Sequence, residues 1–166
     1  MIRGEKVTLR ARRPDDVEHA KRWYADPETA RWLIDVGTYD VPAEPMAYGD
    51  VRLTVDDTET GTPIGTAGLS GGSPEHRHAM LFVVIGDGAY RGRGYGTDVV
   101  RTLCRFAFDD MNLAKVELEV IAGHEAALHL YEGLGFHREV HRRRALWIDG
   151  AWRDEYLMGL LAGELR

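Results

Sequence analysis

The stretch Tyr90-Arg91-Gly92-Arg93-Gly94-Tyr95-Gly96-Thr97 constrains this chain more than any other. An apolar run, Met80 to Ile85, leads into it, and an amphipathic segment, Asp98 to Asp110, follows it. A glycine-rich turn therefore joins a strand to the first turn of a helix. The first N–H groups of a helix have no internal partner, and the helix dipole favours negative charge there. Glycines let the main chain approach an anion closely, and Arg91 and Arg93 add charge-assisted hydrogen bonds. Read alone, the same residues also suit a flexible loop with two solvated arginines. No Lys-Ser or Lys-Thr pair follows the glycines, so this is not a P-loop. The alternate spacing of Gly92, Gly94 and Gly96 is not the dinucleotide fingerprint either. A different phosphate-bearing ligand is implied.

Around that turn the pattern reads as one α+β domain over residues 1–166. Lys6 to Arg12 alternates as a strand does, and Pro14-Asp15-Asp16 opens a helix running to about Tyr24, with Val17, Ala20, Trp23 and Tyr24 inward. A short helix over Glu28 to Leu33 follows, then a loop, Gly37 to Gly49, of the kind that shapes a pocket. Strands are predicted at Val51–Val55, Pro63–Leu69, His78–Ile85 and Val116–Ile121. Val99, Val100, Leu103, Cys104, Phe106 and Ala107 form the buried stripe of the helix after the glycines. Ala126 to Leu134 is a helix capped by Gly135. Phe136–Ile148 and Ala151–Leu160 pair through Asp149-Gly150, a strong hairpin signal. The strand-helix-strand unit in the middle requires two parallel strands, and the flanking hairpins make the rest antiparallel.

Composition excludes several classes. A net charge of −6 argues against general nucleic-acid binding, since the basic clusters, Arg91/Arg93 and His137 to Arg144, are local. The acidic remainder tilts towards cationic substrates such as amines. No apolar run approaches the roughly 20 residues of a membrane helix, and Met1 to Lys6 lacks the apolar core of a signal peptide. The one cysteine, Cys104, falls on a buried helix face, so a packing role in a reducing cytoplasm is expected.

Three segments carry a resemblance to the GNAT-type N-acetyltransferases. The first is Arg91-Gly92-Arg93-Gly94-Tyr95-Gly96. The second, Ala127 to Phe136, is similar to the family's Ala-x-x-x-Tyr-x-x-x-Gly-Phe. The third, Asp149 to Leu160, resembles the ending of the branch that includes the ribosomal-protein alanine N-acetyltransferases, whose opening Val7-Thr8-Leu9-Arg10 and Pro14-Asp15-Asp16 also match. The resemblance covers nearly the whole chain. It implies a mixed, mostly antiparallel sheet flanked by helices, with two central parallel strands splayed around acetyl-CoA and no metal. The diphosphate would sit on Arg91, Gly92, Arg93, Gly94, Tyr95, Gly96 and Thr97. The main chain of Val83, Val84 and Ile85 would pair with the pantetheine arm like an added strand.

The resemblance also assigns roles. On pattern alone Tyr131 is an aromatic on a helix's inner face; the family match makes it the general acid for the departing thiolate. Glu119 becomes the base for the amine, with Glu117 as fallback and His76 and His78 as weaker candidates. On pattern alone Glu119 and Glu117 are strand carboxylates beside Lys115. His124 stands where many relatives have an asparagine that hydrogen-bonds the arm. The implied function is acetyl transfer to a primary amine by direct attack, the amine being a protein N-terminus, a polyamine or a small molecule. The alternatives are a non-catalytic acyl-CoA-binding domain, or transfer of another acyl group such as succinyl, for which Arg31 and Arg52 are the nearby cations. The resemblance also allows a homodimer.

Overall fold

The structure is a computed structural model that describes residues 1–34, 50–73 and 75–166. The loop expected over Gly37 to Gly49 lies outside these residues. Among the described residues eight strands form one sheet in the order β1-β2-β3-β4-β5-β6-β8-β7. They are β1 (Ile2–Arg3), β2 (Val7–Ala11), β3 (Val51–Asp57), β4 (Pro63–Ser73), β5 (His78–Ile85), β6 (Lys115–Ile121), β7 (His137–Ile148) and β8 (Ala151–Leu161). Every neighbouring pair is antiparallel except β5 and β6. This is the mixed α+β sheet the sequence pattern requires.

Among the described residues four α-helices flank the sheet: α1 (Asp16–Ala25), α2 (Pro27–Ala30), α3 (Tyr95–Arg105) and α4 (Glu125–Leu134). The apolar stripe of α3 is buried as expected: Val99, Val100, Leu103 and Cys104 are fully covered, and Ala107 continues it into a π turn, Phe106–Asp110. These side chains, with Leu128 and Leu134 of α4, pack on Val116, Leu118 and Val120 of β6. The alternate residues of β6, Lys115, Glu117 and Glu119, therefore face the other side of the sheet. That side carries α1 and α2. The Tyr24 hydroxyl meets Thr66 Oγ1 at 2.6 Å. A Cβ on Gly86 would lie 2.1 Å from the Trp23 ring, so only glycine lets α1 seat there.

Several boundaries differ from the sequence reading. α3 begins at Tyr95 rather than Asp98, because Gly94, at φ +86°, turns the chain directly into the helix. α2 stops at Ala30 instead of Leu33. Val17 is 41% exposed; the inward position on α1 belongs to Asp16, which is buried. Its carboxylate accepts from Arg10 Nη1 and Nη2 at 2.7 and 2.9 Å, from the Arg13 amide at 2.7 Å and from Thr54 Oγ1 at 2.9 Å. Burial alone would raise the Asp16 carboxyl, but these bonds outweigh it and bring its pKa down to about 2. Asp98 on α3 is a second long-range tie, accepting from the amides of Glu5, Lys6 and Val7.

Candidate functional site

The ladder between β5 and β6 contains only His78↔Lys115, Ala79↔Val116 and Met80↔Glu117. Beyond Met80 the two strands part, while β5 stays on β4 as far as Ile85↔Gly65 and β6 stays on β8 as far as Ile121↔Glu155. Each strand keeps its outer partner while the inner pairing ends, so the centre of the sheet opens as a V.

Hydrogen-bond phase decides which main-chain groups face that opening. Gly86 N donates to Ile64 O at 2.9 Å, and antiparallel pairs alternate between bonded and non-bonded. Val84, opposite Thr66, is therefore turned to β4, whereas Val83 and Ile85 are turned into the gap. Of the three residues expected to receive an extended ligand, Val83 and Ile85 turn main-chain groups to the gap and Val84 does not; the Ile85 carbonyl already accepts from Arg91 Nε at 2.9 Å, which leaves its N–H. On the other wall, Ala122 N donates to Asp154 O at 2.9 Å, which by the same alternation turns Glu119 and Ile121 to the gap.

The glycine turn lies at the mouth of the V. Gly92 and Gly94 have φ of +67° and +86°, conformations glycine adopts without strain. The first helical bond of α3 runs from Asp98 N to Gly94 O, which leaves the amides of Tyr95, Gly96 and Thr97 without intrahelical acceptors. Arg93 lies over the Tyr90 and Tyr95 rings, and its Nη1 donates to Ala89 O at 3.1 Å. Arg91 is used differently from the sequence expectation. Its Nε donates to Ile85 O at 2.9 Å, and its Nη2 donates to Gly86 O at 2.8 Å and Thr29 Oγ1 at 2.6 Å, with Asp26 at 3.4 Å. Its guanidinium fastens the end of β5 to α2.

Tyr131 is half-buried on α4, its ring 5.8 Å from that of Phe136, and no hydrogen bond reaches its hydroxyl among the described residues. Burial pushes the phenol up to about 12. Cys104, also pushed up to about 12 by burial, is a poor nucleophile. Among the described residues no group of three or more His, Cys, Asp or Glu is placed to hold a metal ion.

The acetyltransferase (GNAT) domain model matches residues 6–137, well over half of the chain. The chain belongs to the GNAT family. It is 38% identical over 106 residues to the N-alpha-acetyltransferase RimI of Mycobacterium tuberculosis, a match spanning 63% of each chain. It is 29% identical over 110 residues to the spermidine N(1)-acetyltransferase of Vibrio cholerae, spanning 66% of this chain and 62% of that one. A third relative, the probable N-acetyltransferase YjcK of Bacillus subtilis, is 31% identical over 88 residues, 49% of its length. The chain thus spans between half and just under two thirds of these curated relatives. Among solved structures, the Vibrio cholerae spermidine N-acetyltransferase in complex with CoA and spermine superimposes with a TM-score of 0.86. That match covers 96% of this chain and 97% of that one at 23% identity, and speaks to the fold.

Within this GNAT domain the remaining sequence candidates separate. Glu119, two residues past the last β6 residue paired with β5, accepts from Arg142 Nη1 at 2.8 Å. The same nitrogen donates to Glu155 Oε2 at 2.8 Å. Burial raises the Glu155 pKa, Glu119 adds to the rise, and Arg142 opposes it. Glu117 instead meets Lys115 at 2.9 Å and His78 at 3.3 Å, where β5 and β6 are still paired. The His76 ring lies 6.3 Å from that of His78, at the same closed end. Glu117, His76 and His78 are therefore not brought together with Tyr131 and the open gap.

His124 caps α4 without a side-chain cap bond, and its ring stacks on Trp32 with centroids 4.2 Å apart. Burial, with a smaller push from Arg31, lowers its pKa. Trp32, Arg142 and Glu155 escape the sequence reading. From Asp149-Gly150 alone, Arg142 would sit opposite Leu157; a bulge between Arg142 and Leu146 moves it to Glu155.

Proposed function

We propose that this domain transfers the acetyl group of acetyl-CoA to a primary amine by direct attack in a ternary complex. The observation that carries this reading is the opening of β5 from β6 after Met80↔Glu117, with main-chain groups of Val83 and Ile85 turned into it and unpaired α3 amides at its mouth. The amides of Gly94 to Thr97 suit a diphosphate. The edge of β5 suits an amide-bearing arm, which lays a thioester between the two faces of the sheet.

The amine nitrogen attacks the thioester carbonyl carbon, the carbon–sulfur bond breaks, and the thiolate leaves with a proton supplied from the ammonium side. In this reading Tyr131, on α4, serves the sulfur, and Glu119, on β6, serves the amine from the α1 face. A phenol near 12 is protonated throughout the physiological range. Complete transfer of its proton to a thiolate of ordinary basicity, about 8.5, would run uphill by roughly 5 kcal/mol. Tyr131 therefore acts as a hydrogen-bond donor to the developing thiolate, and the transferable proton comes from the amine. Glu119 receives the ammonium in competition with Arg142 and takes one of its protons, which frees the nitrogen lone pair for attack; the adduct then loses a second N–H proton to the departing thiolate, and Glu119 returns its own to solvent.

Calorimetric titration with acetyl-CoA, followed by thiol release over a panel of primary amines, tests this. Binding together with amine-dependent thiol release is expected. Binding without thiol release for any amine supports the alternative of a non-catalytic acyl-CoA-binding domain.

A further inference from the structure

A column of three side chains crosses the open end of the V on the α1 face. The Arg31 guanidinium lies 5.1 Å over the Trp32 ring, and Trp32 lies on His124. The column ties the end of α2 to the start of α4. Against it sits a cleft of about 150 Å³, lined among others by Arg31, Trp32, Ile121, Ile148, Asp149 and Arg153. The tip of the β7–β8 hairpin thus meets the residues just after α2, at the end of β6.

The charge of this cleft is opposite to that of the chain as a whole. Among the described residues Arg31 has one ion pair, with Glu28 at 3.6 Å between largely exposed side chains, a geometry that contributes little. Arg153 has no hydrogen bond or ion pair among the described residues. Among the described residues that line it, Asp149 is the single carboxylate, and these residues together carry an excess of positive charge. Its volume corresponds to about five water molecules, enough for one short polar side chain. Glu119, where the ammonium is received, lies two residues before Ile121 on the same strand, roughly 7 Å away at about 3.3 Å per residue.

We propose that Arg31 and Arg153 form an anion subsite for the acceptor. The favoured substrate is a peptide amine with a carboxylate side chain at its second residue. This rests on the acetyltransferase reading above and sharpens it. The ammonium meets Glu119, and the carboxylate lies in the cleft against Trp32. A polycation is disfavoured, because extending it from Glu119 brings like charges together beside Arg31 and Arg153.

The test uses short peptides that share an N-terminal alanine and carry Asp, Ala or Lys second, together with spermidine, in thiol-release assays with acetyl-CoA. The expected kcat/KM order places the Asp peptide first, about tenfold or more above the Lys peptide and spermidine. In the R31Q/R153Q variant the Asp-to-Ala ratio should fall close to one, and R31K/R153K should restore most of it. Calorimetric titration of the same peptides into the CoA-loaded protein reads the subsite without turnover, and the Asp peptide should bind most tightly. Preference for spermidine or the Lys peptide, or an unchanged ratio in R31Q/R153Q, overturns the subsite. If the double variant instead alters discrimination between succinyl- and acetyl-CoA, the carboxylate belongs to the donor and the acceptor assignment is wrong. Peptide selectivity in binding with no thiol release from any amine keeps the subsite and overturns the transferase reading.

Discussion

Two clusters in this molecule share one make-up, an arginine between two carboxylates, and differ in what they can do. Arg10 uses separate nitrogens for its partners, Nε to Asp56 at 2.6 Å and Nη1 and Nη2 to Asp16, and all three residues are buried. Arg142 meets Glu119 and Glu155 through one nitrogen, and its side chain is 43% exposed. The first cluster locks β2, β3 and α1 together. The second stands beside the unpaired part of β6, where the proposed function has an incoming ammonium compete for Glu119. The number of independent contacts and the access of water, rather than residue type, separate a staple from a displaceable pair.

This contrast can be broken in a graded way. Arg10→Met leaves Asp16 and Asp56 buried without their cation and should cost about 3 to 5 kcal/mol in urea unfolding. Arg142→Met should cost far less, since Glu155, its pKa already raised, can take up a proton. Equal losses would erase the distinction. Tyr131→Phe should slow turnover by about 100-fold with acetyl-CoA affinity nearly unchanged, measured by single-turnover rates and calorimetry. An unaltered chemical rate removes Tyr131 from its role.

The first cluster also sets an acid limit. The Asp16 carboxyl is depressed from 3.8 to about 2, so its contribution, roughly 2 kcal/mol, is fully present above about pH 4. It is lost as pH falls from there to about 2. Asp16→Asn should flatten that part of the stability–pH curve. In the second cluster, Arg142→Met should lower KM for cationic amines by roughly tenfold if the ammonium competes with the guanidinium, a 1.4 kcal/mol effect. An increased KM would show that Arg142 helps to hold the acceptor. The smallest effect is expected at Cys104→Ala, where turnover should stay almost intact if the proposed direct attack, without a covalent acyl-enzyme, holds. Abolished turnover with the fold retained would contradict direct attack.

Much of the fold follows from local rules. The Gly92–Gly96 turn, the Asp149-Gly150 hairpin with φ of +51° and +72°, and the Gly135 cap at φ +104° each need a conformation that their residues supply cheaply. The parallel pair follows from the strand-helix-strand order. What escaped depends on partners distant in sequence. Arg91 lies in a phosphate-binding pattern, yet its guanidinium is held by Thr29 and two carbonyls. Asp16 looks like a helix-start carboxylate but is the hub of a buried network. Val84 cannot be told from Val83 and Ile85 until one bond from Gly86 fixes the phase of the strand. The Arg142–Glu155 contact needs a bulge that no turn residue announces. The cleft near Trp32 is assembled from three separate segments of the chain.

The most direct test of the central claim is a crystal structure with CoA bound. The diphosphate is expected within hydrogen-bonding distance of the amides of Gly94 to Thr97, with the pantetheine amides paired to Val83 and Ile85 and the sulfur beside the Tyr131 hydroxyl. A diphosphate bound elsewhere, or β5 and β6 paired beyond Met80↔Glu117 with the arm outside the sheet, would contradict the account.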